Sequence, residues 1–142
     1  MGYYRVLVVD DETDFRDVIV KQLTAKDIEC EEAADGLAAI DKVKNGNFDV
    51  VLLDVKMPKM DGIATLEQIK KLAPMTEVVI LTGHASVESG VNSIKFGAFD
   101  YLMKPADFES LLAKLNAAYE RKCIQEDKIG TARVVKDMTG SF

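Results

Sequence analysis

The sequence predicts an α/β domain, a doubly wound five-stranded parallel sheet with five helices. Three observations lead there. Apolar runs at Val6–Val9, Val50–Leu53 and Val78–Leu81 are continuous rather than alternating, as in strands buried on both faces. The segments between them place apolar residues at helical spacing, and strand alternating with helix implies right-handed crossovers covering both sheet faces. The chain of 142 residues shows no internal repeat, low-complexity segment or linker before residue 122, so it is about one domain.

The elements follow in order. "YRVLVV" (4–9) is the first strand, and "FRDVIVKQL" (15–23) is a helix with Phe15, Val18, Ile19 and Leu23 at helical spacing. "IECEEAA" (28–34) is a more polar strand. "GLAAIDKVKNG" (36–46) is a short helix stopped by Asn45-Gly46. "FDVVLLD" (48–54) is the third strand, "KMPKMDG" (56–62) a loop, and "IATLEQIKKLA" (63–73) a helix closed by Pro74. "EVVILT" (77–82) is the fourth strand, "SVESGVNSIKFG" (86–97) a helix, "DYLM" (100–103) a short strand, and "DFESLLAKLNAAYERK" (107–122) an amphipathic helix. The helix at 86–97 is a poor one, with Val87, Val91, three serines and an interior Gly90, and is expected to be marginal and movable.

Composition narrows the partners. A net charge of -6 disfavours nucleic acid or an anionic membrane as a direct partner, since both require a basic face. No apolar run approaches the roughly 20 residues of a membrane span, and the N-terminus lacks a signal pattern, so the cytoplasm is the expected compartment. Cys30 and Cys123, far apart in sequence, suit reduced thiols there.

Ligands of open α/β sheets bind beyond the carboxyl ends of the strands, near the point where strand order reverses. The residues closing the strands are Asp10 and Asp11, Asp54, Thr82 and Gly83, and, just past the fifth strand, Lys104 and Pro105. Two carboxylates about 4 Å apart repel by roughly 4 kcal/mol at an effective dielectric of 20. A hard divalent cation relieves that cost, and Mg²⁺ suits a site of one or two carboxylates, phosphate oxygens and water. An ammonium and a hydroxyl converging with a metal on one aspartate are what phosphoryl transfer needs, with Asp54 as the nucleophile.

"VLVVDDE", "VVLLDVKMPKMDG", "VVILTGHAS" and "AFDYLMKP" resemble, in order and spacing, the receiver domain of two-component response regulators, over residues 4 to about 120. The segment "LTGHASVESGVNSIKFGAFDYLMKP" is closest to nitrogen-regulator-class receivers. The resemblance implies a flavodoxin-like fold and a non-enzymatic phosphoacceptor that promotes only its own phosphotransfer and slow dephosphorylation. Asp54 is then the phosphoacceptor, charged by a phosphohistidine on a sensor histidine kinase. Asp11 and Asp54 match the direct Mg²⁺ ligands, the main-chain carbonyl of Lys56 is a third, and Asp10 acts mostly through water. Thr82 and Lys104 match the switch hydroxyl and the phosphate-pairing lysine, and Tyr101 the aromatic that turns inward with Thr82. The Lys104–Pro105 bond is cis in the family. Lys56 and His84 occupy positions that tune phosphate loss to water. The face made by the helix at 86–97, the fifth strand and the last helix is where the family meets downstream proteins or a second copy, so phosphorylation-promoted dimerisation is expected.

Blander readings hold for several neighbours. Glu12 reads as an acid at the start of the next helix and Thr13 as its N-cap. Asp61-Gly62 reads as a turn, and Met57, Met60 and Met103 as packing. His84, the only histidine, also suits a plain surface loop. Haloacid-dehalogenase-type phosphohydrolases share the Asp, Mg²⁺, hydroxyl and Lys but need a second Asp two residues after the nucleophile, where this chain has Lys56. Neither G-x-G-x-x-G nor G-x-x-x-x-G-K-[ST] occurs, which disfavours a nucleotide fold. A phosphorylation-independent interaction module is the third reading. Residues 121–142 are expected to be a helix extension or tail without an output domain, leaving open a stand-alone regulator or the receiver part of a larger one.

Overall fold

The computed structural model describes residues 4–55, 62–83 and 93–138, with side chains up to Lys128. Five parallel strands, β1 (Arg5–Val9), β2 (Glu29–Ala33), β3 (Val50–Asp54), β4 (Glu77–Thr82) and β5 (Asp100–Met103), lie in the order β2-β1-β3-β4-β5. The helices are α1 (Thr13–Thr24), α2 (Gly36–Asn45), α3 (Gly62–Leu72), helical residues 93–95 (α4) and α5 (Phe108–Met138). The expected doubly wound sheet is present, and its order reverses between β1 and β3.

Strand period divides the apolar residues into two cores. Val6, Val8, Val50, Leu52, Val79 and Leu81 pack with Ile19 and Leu23 of α1 and Leu111, Leu115 and Ala118 of α5. Leu7, Val9, Val51, Leu53, Val78 and Ile80 pack with Ala39 and Val43 of α2 and Leu66 and Ile69 of α3. The three apolar strands read as continuous because each has a core on either side. β2 reads polar because it is an edge: Glu31 and Glu32 are half-buried, and their carboxylates meet Lys42 and Arg16 at its margin.

Helix ends follow local chemistry. The Asp35 side chain accepts from Ala38 N–H and caps α2. At α1 the N-cap position is Glu12, not Thr13 as the sequence suggests, and Thr13 is the first helical residue. No side chain caps α1; instead the Glu12 carbonyl accepts from Arg16 N–H, and the Glu12 N–H donates to Asp10 Oδ1. α1 closes with paired bonds from Ile28 N–H to Leu23 O and Asp27 N–H to Thr24 O, with Asp27 at φ 63°. The same closure follows 93–95, where Gly97 takes φ 109°.

α5 runs on past 122 to Met138, a helix of 31 residues. Among the residues whose side chains are described, Lys122 is the last buried one in α5, and Ile124 is already exposed. Cys30 and Cys123 are free thiols. Among the described residues, no helix is long and apolar enough to cross a membrane.

Candidate functional site

β1 and β3 are paired in register, Val8 to Leu52 and Val9 to Leu53, so the next residues, Asp10 and Asp54, emerge side by side at the carboxyl end of the sheet. Both are buried, at 0% and 4% exposure. Asp11 and Glu12 follow Asp10 on the exposed surface. One oxygen from each of Asp10, Asp11, Glu12 and Asp54 lies within 4.8 Å of the others.

Among the described residues, one ammonium faces this group. Lys104 Nζ donates to Asp10 Oδ2 at 2.7 Å and to Asp54 Oδ2 and Glu12 Oε1 at 3.3 Å each. The ammonium also sits 4.4 Å from the centre of the Phe15 ring. Burial disfavours its charge, but its hydrogen bond to Asp10 and the field of Asp54 outweigh burial, and its pKa lies above the ordinary lysine value. The Lys104–Pro105 bond is cis, as the resemblance implies. The Lys104 N–H donates to the Thr82 carbonyl at 2.7 Å, which ties the end of β5 to that of β4.

Thr82 is fully buried at the end of β4, in register with Met103. Its hydroxyl lies 3.4 Å from the Gly83 carbonyl. Tyr101 is half-buried against the α2/α3 core, one residue along β5 from Leu102, which packs on the opposite core. Lys56 and His84 lie outside the described residues, as do Met57, Met60 and Asp61. Gly62 opens α3 directly against the end of β3: a Cβ there would stand 2.4 Å from Val55 Cα.

The structure thus brings together Asp10, Asp11, Asp54 and Lys104, with Thr82 at the neighbouring strand end. It adds three residues that the sequence reading had left to helix formation. Glu12 marks the start of α1, as read, and its carboxylate also joins the cluster. Phe15 is the ring beneath Lys104. Arg16 donates from Nη1 to the Asp10 carbonyl at 2.6 Å. The signal for all three is positional, since they occupy the first turns of the helix that starts at the acidic strand end.

An all-oxygen set with two carboxylates buried and two open to water fits a hard divalent cation that keeps part of its hydration shell. Among the described residues, one ammonium, that of Lys104, pairs with three of the four carboxylates, and a cation would relieve the repulsion within such a cluster.

The response regulator receiver domain family matches residues 6–116. The chain belongs to that family. A receiver is the regulatory phosphoacceptor domain of two-component signalling, a phosphorylation-dependent switch. The transcriptional regulatory protein ZraR of Escherichia coli K12 is 43% identical over 113 residues, which are 80% of this chain and 26% of that protein. The DNA-binding transcriptional regulator NtrC of Klebsiella pneumoniae is 38% identical over 111 residues, 78% of this chain and 24% of that protein. The chain therefore spans about a quarter of the length of these curated relatives. The crystal structure of a CheY-like receiver domain protein from Methanospirillum hungatei JF-1 superposes with a TM-score of 0.82 at 34% identity, covering 87% of this chain and 98% of that one. These relatives place the receiver in the nitrogen-regulator class and its sheet in the flavodoxin-like fold.

Proposed function

We propose that this receiver accepts a phosphoryl group on Asp54 from the phosphohistidine of a sensor histidine kinase, with Mg²⁺ bound at the acidic rim. The observation that carries the reading is the convergence of four carboxylates and Lys104 at one strand end. Asp11 and Asp54 would hold the cation directly, with the Lys56 carbonyl as a further ligand and Asp10 acting through water. When bound, the cation supplies positive charge to the phosphoryl oxygens.

The chain's own groups do the rest. An Asp54 carboxylate oxygen attacks phosphorus, the phosphorus–nitrogen bond of the donor breaks, and the electron pair returns to the imidazole nitrogen. The product is an acyl phosphate. The new group carries close to two negative charges and three acceptor oxygens. Lys104, already 3.3 Å from Asp54, pairs with it, and the Thr82 hydroxyl donates to it. Both residues close strands that lead into the last two helices, so their movement, with Tyr101 turning inward, alters the face of α4, β5 and α5. Shifting a two-state element from 1:99 to 99:1 takes about 5.5 kcal/mol, within reach of a few charge-assisted hydrogen bonds.

That face is the proposed meeting point with a downstream protein or a second copy of the chain. Lys56 and His84 would screen the water that removes the phosphate. The switch domain spans 4–120 in this reading, the remainder extends its last helix, and the compartment is the cytoplasm.

Incubation with a small acyl-phosphate donor, with and without Mg²⁺, tests the reading by intact-protein mass. A stable phosphoryl increment that needs Mg²⁺ and disappears in Asp54→Asn is expected, and Asp11→Ala should lose it while keeping the fold. Continuous phosphate release would mark a phosphohydrolase instead, and no change an interaction module.

A further inference from the structure

We infer that Arg16 is a positioning residue for the cation site, acting through the main chain of Asp10 and steadied by Glu32. The inference rests on the Mg²⁺ reading above. Asp10 is held at four points. Its N–H donates to the Ala33 carbonyl at 3.1 Å, its Oδ1 accepts from Glu12 N–H at 2.9 Å, and its Oδ2 accepts from Lys104 at 2.7 Å. The fourth is its carbonyl, which accepts from Arg16 Nη1 at 2.6 Å.

Arg16 thus addresses the backbone and leaves both Asp10 carboxylate oxygens to the groups that face the site. Its Nε is in turn held at 3.1 Å by Glu32 Oε1, and its side chain is only 13% exposed. Glu32 stands on β2 opposite Val8 of β1, two residues before Asp10. The planar guanidinium therefore bridges two fixed points with two separate N–H groups, a geometry that an ammonium does not reproduce. Arg16 also lies one turn into α1, where its own N–H bonds to the Glu12 carbonyl. Residues 10 to 12, three of the four carboxylates, are in this way clamped between β2 and α1.

Charge and geometry act in opposite directions here, which makes the inference decidable. As a mere positive charge near a cation site, Arg16 would weaken Mg²⁺ binding, and its removal would tighten it. As a positioning group, its removal loosens the ligands and weakens binding, as loss of an outer-shell partner does by about 10- to 100-fold.

Titration calorimetry with MgCl₂ on the intact chain tests this, with the unfolding temperature of each variant measured alongside. Arg16→Ala and Arg16→Lys should both raise the Mg²⁺ dissociation constant about tenfold or more. Glu32→Ala, which removes the support without touching Arg16, should weaken binding in the same direction. Glu32→Gln keeps an acceptor oxygen and should stay close to wild type. Unchanged or tighter binding in Arg16→Ala, or wild-type binding in Arg16→Lys, overturns the inference while the cation site stands. A fall in unfolding temperature with Mg²⁺ affinity intact marks a purely structural arginine and overturns it as well. Wild-type protein that does not bind Mg²⁺ overturns the cation reading and this inference together.

Discussion

The two ends of the sheet treat buried charge in opposite ways. At the amino end, each buried or half-buried carboxylate meets its own cations. Glu77, 2% exposed, has Arg121 Nε at 3.2 Å and Lys70 Nζ at 3.8 Å. Asp49 accepts from Lys122 Nζ at 2.8 Å through one oxygen and from Arg5 N–H at 2.8 Å through the other. At the carboxyl end, among the described residues, Lys104 is shared among Asp10, Glu12 and Asp54, with Asp11 beside them. The amino end is balanced and anchors α5. At the carboxyl end one ammonium is shared by three carboxylates, a crowding of like charge that a bound cation would relieve. A count of buried acids would not separate the two ends; their partners do.

Breaking the balanced end should have the largest effect on stability. Lys122→Met keeps the apolar stem but leaves Asp49 without its ammonium. A loss of about 2 kcal/mol, read from urea unfolding, is expected for a partly buried charged pair deprived of one partner. At the acidic rim the sign reverses. Asp54→Asn removes one of the crowded carboxylates, so metal-free stability should rise by about 1 kcal/mol. MgCl₂, which should raise the unfolding temperature of the wild type, should raise that of the variant less. A destabilised Asp54→Asn would show that the rim is balanced after all.

The smallest effect is one of pH at the amino end. Tyr4 stacks on Tyr119 at 4.5 Å and donates to Asn116 Oδ1 at 2.6 Å. Burial, with Cys30 and Asp49 adding to it, raises the Tyr4 pKa above its ordinary 10.0, and burial pushes the Cys30 thiol up to about 11. Groups that hold their protons more tightly when folded contribute stability that is complete below their unfolded values and lost as pH rises beyond them. Stability should therefore begin to fall as pH climbs above about 9, where the unfolded thiol ionises, and fall more steeply above about 10, where the unfolded tyrosine does. Tyr4→Phe, though about 1 kcal/mol less stable near neutrality from its lost hydrogen bond, should show a shallower alkaline decline in circular-dichroism melts.

Much of this was legible in the chain itself. Apolar runs between helical periods disclosed the sheet, because a strand buried on both faces has no polar side to show. Asp10, Asp11, Asp54, Thr82 and Lys104 stood out because each closes or follows a strand. Glu12, Phe15 and Arg16 were less visible, since a helix start accounts for an acid, an apolar residue and a base without further purpose. The extension of α5 past Lys122 was open in the sequence, as helix or tail. Gly130 and the mixed polarity beyond Lys122 weaken a helical reading, yet the structure continues the helix to Met138.

By itself, then, the sequence determined the alternation of elements and the chemical types at the strand ends, because both are local consequences of period and residue chemistry. Which acids and cations come together was decided only in three dimensions. Lys104 meets Asp10 across 94 positions, and Lys122 meets Asp49 across 73. Pairings of that span depend on strand order and register, which no local pattern encodes. The acidic run after β1 became part of a four-carboxylate cluster only once β3 lay beside it.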